Sequence, residues 1–99
     1  MKRQLTDQDY YKIKEGILRL PNHSEFTRAT KILLDPIVPE DKDSVDFAHQ
    51  LKIRLTEEGY TKVAISPSFY LGGYPKKAYE VTEGVPPEGT PYILIYPVS

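Results

Sequence analysis

The stretch that most restricts what this chain can fold into runs from Ser44 to Pro67, SVDFAHQLKIRLTEEGYTKVAISP. Phe47, Ala48, Leu51 and Leu55 share one arc of a helical wheel with Val45 at its rim, while Asp46, His49 and Ile53 lie on the other side. Gly59 stands where such a helix is expected to stop. The next residues alternate as a strand, with Thr61, Val63 and Ile65 on one face and Tyr60, Lys62 and Ala64 on the other, until Pro67. A helix that passes straight into a strand makes this segment a pivot. The residues before it read as helical or ambiguous, and those after it as strands and turns.

Upstream, Leu5 to Leu20 reads as an amphipathic helix. Thr6 is a suitable N-cap, Asp7 and Asp9 suit the positive end of the helix dipole, and Tyr10, Ile13, Ile17 and Leu20 form the apolar stripe. Tyr11 and Leu18 fall off that stripe, Gly16 costs the helix about 1 kcal/mol relative to alanine, and Pro21 ends it. After a turn at Asn22, His23 and Ser24 comes SEFTRATKILLDP, which fits two readings. As a helix it is capped by Ser24, with Phe26, Ala29, Thr30, Leu33 and Ile37 on one face; as a strand its β-branched content is favourable. The helical spacing runs over more positions and predicts a helix at 24–34. A strand there would instead open a parallel β-α-β crossover with the next helix. DPIVPEDK, with two prolines, is a stiff connection.

Downstream, Gly72-Gly73 signals a turn, Lys77 to Thr82 a strand with Tyr79 and Val81 on one side, and EGVPPEGTP a loop. YILIYPV, Tyr92 to Val98, is apolar on both faces, as a central strand is. The expectation is a single α+β domain over residues 1–99. In it, two or three helices pack on one face of a three- or four-stranded, mostly antiparallel sheet. Tyr10, Ile13 and Ile17 and the stripe Phe47, Leu51 and Leu55 would be buried against Val63, Ile65, Ile93 and Ile95.

Composition excludes some chemistry. There is no cysteine, which removes disulfides, thiol nucleophiles and cysteine-ligated zinc. The formal net charge of −1 gives no bulk attraction to nucleic acid or anionic membranes. Charge is uneven along the chain: residues 1–34 carry seven basic and four acidic side chains, residues 35–58 three and seven. No apolar run approaches the roughly 20 residues that span a bilayer, and MKRQLTDQDYYK lacks the apolar stretch of a signal peptide. A cytoplasmic protein without membrane contact is expected. One Asn, three Gln and nine Pro shift composition in the direction seen in proteins from hot environments.

Asp43, Asp46 and His49 share a helical face, and such spacings let a carboxylate and an imidazole meet. Two weak ligands with no third in view do not define a metal site, and His49 reads as a solvated residue. His23 beside Ser24 has no acid to complete a triad; capping and turn formation explain both. Glu80, Glu83 and Glu88 flank a strand and a loop, where surface acids ordinarily go, although paired carboxylates can act as acid and base. Gly72-Gly73 lacks the Lys, Ser or Thr and the following helix of a phosphate loop. The best binding candidate is Phe69, Tyr70, Tyr74, Lys76 and Lys77, where aromatics interleave with cations. Such a cluster can stack on bases, neutralise phosphates, or enter a protein interface.

In size, Tyr and Pro richness, absence of Cys, and the run from LTDQDYYKIKEGILRLP to PYILIYP, the chain resembles the small uncharacterised proteins of filamentous viruses of hot acidic-spring archaea, lipothrixvirus-like. The resemblance covers the full length and implies a virus-encoded protein in the host cytoplasm, with no activity or site residues to carry over. The expected function is a non-enzymatic interaction protein, such as a viral accessory factor, with a protein partner and no cofactor or metal; the oligomeric state stays open. The alternative is a winged-helix-like nucleic-acid binder, with helices near 24–34 and 43–58 and a wing at 66–77. DPIVPEDK is long for a helix-turn-helix, and Asp43, Asp46, Glu57 and Glu58 would repel phosphate.

Overall fold

The computed structural model describes residues 3–20, 27–67, 73–84 and 90–98. Helix α1 spans Asp7–Leu18. Thr6 caps it through a complete capping box: its hydroxyl accepts from the Asp9 N–H, and the Asp9 carboxylate accepts from the Thr6 N–H. Strand β1 is Ile32–Pro36, helix α2 Lys42–Glu57, and strands β2, β3 and β4 are Val63–Ile65, Tyr79–Glu83 and Pro91–Ile95.

Helix α2 ends as its sequence predicts. Gly59, at φ +99°, is the one described residue in the left-handed region. Its N–H bonds the Thr56 carbonyl, and the Tyr60 N–H reaches back to Leu55, which satisfies two carbonyls that the helix leaves orphaned. Tyr60 is thereby buried, and β2 begins three residues later.

The sheet order is β2-β1-β4-β3. β1 runs parallel to both β2 and β4, and only the β3–β4 pair is antiparallel. The expected mostly antiparallel sheet is therefore wrong: the sheet is mixed. The cause is the segment predicted as a helix. Residues 27–31 hold a turn and Ile32–Pro36 a strand, so β1-α2-β2 is the parallel crossover unit that the alternative reading required. The helical spacing of Phe26 to Ile37 is overridden by burial. Ile32 and Leu34 are fully buried as alternate residues of a central strand, and the Ile32 N–H bonds the Lys62 carbonyl.

Both helices pack on one face. Tyr10, Ile13 and Ile17 of α1 and Phe47, Ala48, Leu51 and Leu55 of α2 bury against Ile32, Leu34, Ile93 and Ile95, with Val63, Ile65, Tyr79 and Val81 at the margin. The two helical stripes and Ile93 and Ile95 are as expected, but Ile32 and Leu34 take the central places expected of Val63 and Ile65, which are only partly buried. α1 lies over β3 so closely that a Cβ on Gly16 would stand 2.9 Å from Val81 Cγ2. Arg3 ties the segment before α1 to the sheet and to α2. Its guanidinium lies 4.0 Å from the Phe47 ring centroid and donates to the carbonyls of Tyr96 and Ala78 at 2.8 and 2.7 Å. Partial burial lowers its pKa.

Candidate functional site

Side chains alternate along a strand, so the residues between the core positions face the other way. Leu33 and Asp35 of β1, Tyr92 and Leu94 of β4, and Glu80 and Thr82 of β3 lie on this second face, in register across the sheet. No described helix covers them. Leu33, Tyr92 and Leu94 are half-buried, whereas Asp35 is only 3 % exposed. Together with Lys31, Glu83, Gly84 and Thr90, the residues of β1 and β4 line a groove of about 410 Å³.

Its floor has a specific local cause. A Cβ at Gly84 would meet Tyr92 Cε2 at 2.8 Å and Cδ2 at 3.0 Å. The tyrosine ring is pressed against the glycine backbone, an arrangement open to no other residue without moving the ring. The Gly84 N–H donates to the Thr90 carbonyl at 2.7 Å, which closes this end of the hairpin.

Beyond the opposite end of β4, the same face carries Tyr96. Its ring stacks with Tyr74 at a centroid distance of 6.2 Å, and its hydroxyl donates to Glu80 at 3.2 Å. Tyr74, Lys76 and Lys77, with Pro75, Ala78, Pro97 and Val98, line a second groove of about 650 Å³. The structure thus brings together three of the five binding residues nominated from the sequence; Phe69 and Tyr70 lie outside the described residues. Lys76 is exposed, and Lys77 stands 3.4 Å from the Glu80 carboxylate.

The other nominated groups separate. Glu80 is engaged by Lys77 and Tyr96, while Glu83 lines the first groove, so the two do not form an acid–base pair. Glu88, His23 and Ser24 lie outside the described residues, as does Gly72. Among the described residues no group of three His, Asp or Glu gathers to hold a metal, and His49 is exposed. No helix there is long and apolar enough to cross a membrane. A winged-helix pair needs a helix at 24–34; of these positions, residues 27–34 hold a turn and the start of β1 instead.

A further charged cluster joins the C-terminus of α2 to α1. Tyr10 donates its hydroxyl to Glu58, Lys14 stands 3.3 Å from the same carboxylate, and Arg28 Nε donates to the Glu58 carbonyl at 2.6 Å. The bond from Tyr10, then that from Lys14, holds Glu58 below the usual carboxylate range, and burial pushes the Tyr10 hydroxyl well up. Cations at the negative end of a helix are what the macrodipole favours, so this cluster fastens the fold.

The groove over β1 and β4 was not among the sites expected from the sequence. Its signal was present in YILIYPV, apolar on both faces, and in ILLDP, whose Leu33 faces away from the core. Either segment fits a sheet covered on both sides, so the pattern alone does not announce an open one. Compared with known proteins, the chain matches no family model, no curated protein and no solved structure.

Proposed function

We propose that this chain is a non-catalytic interaction module that binds an extended segment of a partner protein on the sheet face turned away from its helices. One observation carries the reading. β4 sends Ile93 and Ile95 fully into the core, while Tyr92 and Leu94 form the half-buried floor of a groove that no described helix covers. Tyrosine and leucine there supply contact area at little entropic cost, and Lys31 and Thr90 supply a polar rim, the usual anatomy of a protein interface. We further propose, from the resemblance to proteins of filamentous archaeal viruses, that the encounter takes place in the cytoplasm of an infected host.

The test is parallel affinity capture from the native host with the wild type, with Leu94→Lys, and with the control Ile53→Lys on the exposed side of α2. A protein retained by the wild type and by the control but lost with Leu94→Lys supports the reading. Retention by all three, or by none, overturns it. Sedimentation of the same variants identifies a second copy of the chain as the occupant, through a dimer that Leu94→Lys abolishes.

Tyr74 stacked on Tyr96 beside Lys76 and Lys77 favours a second reading, a nucleic-acid contact at the other end of the same face. Retention on single- or double-stranded DNA at about 50 mM salt, falling steeply as salt rises, supports it; no retention there removes it, because phosphate contacts are strongest at low salt.

A further inference from the structure

The register of the sheet arranges its open face in rows. Leu33 of β1 pairs with Ala64 of β2 and with Tyr92 of β4, and Tyr92 pairs with Thr82 of β3. These four form one row, apolar except for Thr82. Alternation along each strand puts the next row two residues away, at Lys62, Lys31, Thr90 and Gly84. Two backbone bonds hold it in place. The Ile32 N–H donates to the Lys62 carbonyl at 2.9 Å, and the Gly84 N–H to the Thr90 carbonyl at 2.7 Å. Lys31, Leu33, Thr90 and Tyr92 all line the first groove.

The accessible charge here is of one sign. Glu83 borders the groove, but it lies between Thr82 and Gly84 and opposite the buried Pro91, so its side chain belongs to the helix-covered face. Asp35 is buried and has an interaction of its own. Lys31 and Lys62 are exposed, and among the described residues neither has an acid partner, whereas Lys14 and Lys77 stand against Glu58 and Glu80. Neighbouring strands lie about 4.8 Å apart. Like charges side by side on one sheet face repel, and an anion set between the two ammoniums removes that repulsion.

Resting on the protein-binding reading above, we infer that the partner segment is acidic. One of its carboxylates bridges Lys31 and Lys62 beside the Thr90 hydroxyl, and an apolar side chain two residues away settles on Leu33 and Tyr92. The two rows are about 7 Å apart, the spacing of alternate side chains in an extended chain. A nucleic-acid strand suits this end of the face less well. Stacked bases need successive rings, and around Tyr92 the floor is aliphatic, from Ala64, Leu33 and Leu94.

The probe is acetyl-Leu-Ala-Glu-Ala-Leu-amide, titrated at low salt into the isotope-labelled protein and followed by amide chemical shifts. The same peptide with glutamine in place of glutamate keeps the shape and loses the charge, and oligothymidylate stands in for a nucleic-acid strand. The expected result is a shift pattern centred on Lys31, Leu33, Lys62, Thr90 and Tyr92. Affinity should be about fivefold lower for the glutamine peptide, a difference that shrinks as salt screens the charges. Lys31→Met and Lys62→Met should each weaken the glutamate peptide toward the glutamine level, while Lys52→Met, at an exposed position of α2, should change nothing. Equal affinity for the two peptides at this groove overturns the acidic partner and leaves the protein-binding face standing. Tighter binding of oligothymidylate at the same lysines overturns it in favour of nucleic acid. Shifts there on concentrating the protein alone overturn it in favour of a second copy. Shifts elsewhere, or none with any probe, also overturn the seat, while the capture experiment with Leu94→Lys decides the face independently.

Discussion

Ile93 and Ile95 alternate along β4 with Tyr92 and Leu94, yet the two pairs occupy different surroundings. The isoleucines belong to the core that both helices close, and are fully buried; the tyrosine and leucine floor a groove of about 410 Å³. Both sides of the strand carry large, mainly apolar side chains. What differs is the cover: α1 and α2 both come to rest on the isoleucine side. One face therefore holds the fold together, and the other is left with apolar surface, one ring fixed by a glycine, and a few charges. In physical terms, most of the folding free energy resides on the first face, and substitutions on the second should be felt mainly in binding.

The sharpest test of that contrast sets neighbours against each other. Ile93→Ala removes buried volume from the core and should cost about 3 kcal/mol in urea unfolding. Leu94→Ala should cost about 1 kcal/mol. Equal losses would break the distinction between the two faces. The next effect concerns how closely the covering helix sits. Gly16→Ala gains about 1 kcal/mol of helix propensity but drives a Cβ into the stiff Val81 side chain. The net result should be a loss of about 1 kcal/mol, because overpacking costs more than propensity returns. Val81→Ala in the same chain should restore part of that loss, and strict additivity would show that α1 does not press on β3.

A smaller effect appears with pH. Burial, with the Asp9 carboxylate beside it, pushes the Tyr79 hydroxyl up to about 12. The folded state keeps this proton longer than the unfolded chain does. The contribution is thus intact below the ordinary tyrosine value of about 10 and is lost as pH rises toward 12. Glu58, held low, works in the opposite sense: its contribution is present above the ordinary carboxylate pKa and is lost as pH falls through the lowered value. Melting curves should show both flanks, and Tyr79→Phe should flatten the alkaline one. The smallest effect belongs to the groove's rim. Lys31→Ala, at an exposed position, should change stability by less than about 0.5 kcal/mol. A larger loss would mean that the rim helps hold the fold.

The core was largely legible in the sequence. The stripes Tyr10/Ile13/Ile17 and Phe47/Leu51/Leu55 follow from helical spacing, the capping box from Thr6 and Asp9, and the helix stop from Gly59. Of the nominated binding cluster, Tyr74, Lys76 and Lys77 do gather in a groove, because they are near neighbours along the chain. The groove at Tyr92 was not legible. It depends on Gly84 and Tyr92 meeting across a hairpin, and on Leu33 arriving beside them from a strand far earlier in the chain.

Periodicity and caps act over a few residues, so they were enough to specify the local elements on either side of the pivot at Ser44 to Pro67 and the residues those elements bury. Long-range pairing was needed to make residues 32–36 a strand, to run that strand parallel to both its neighbours, and to choose the side of β4 that receives the helices. YILIYPV is apolar on both faces and ILLDP carries a leucine on each, and such segments take their direction and their cover from the partners they meet.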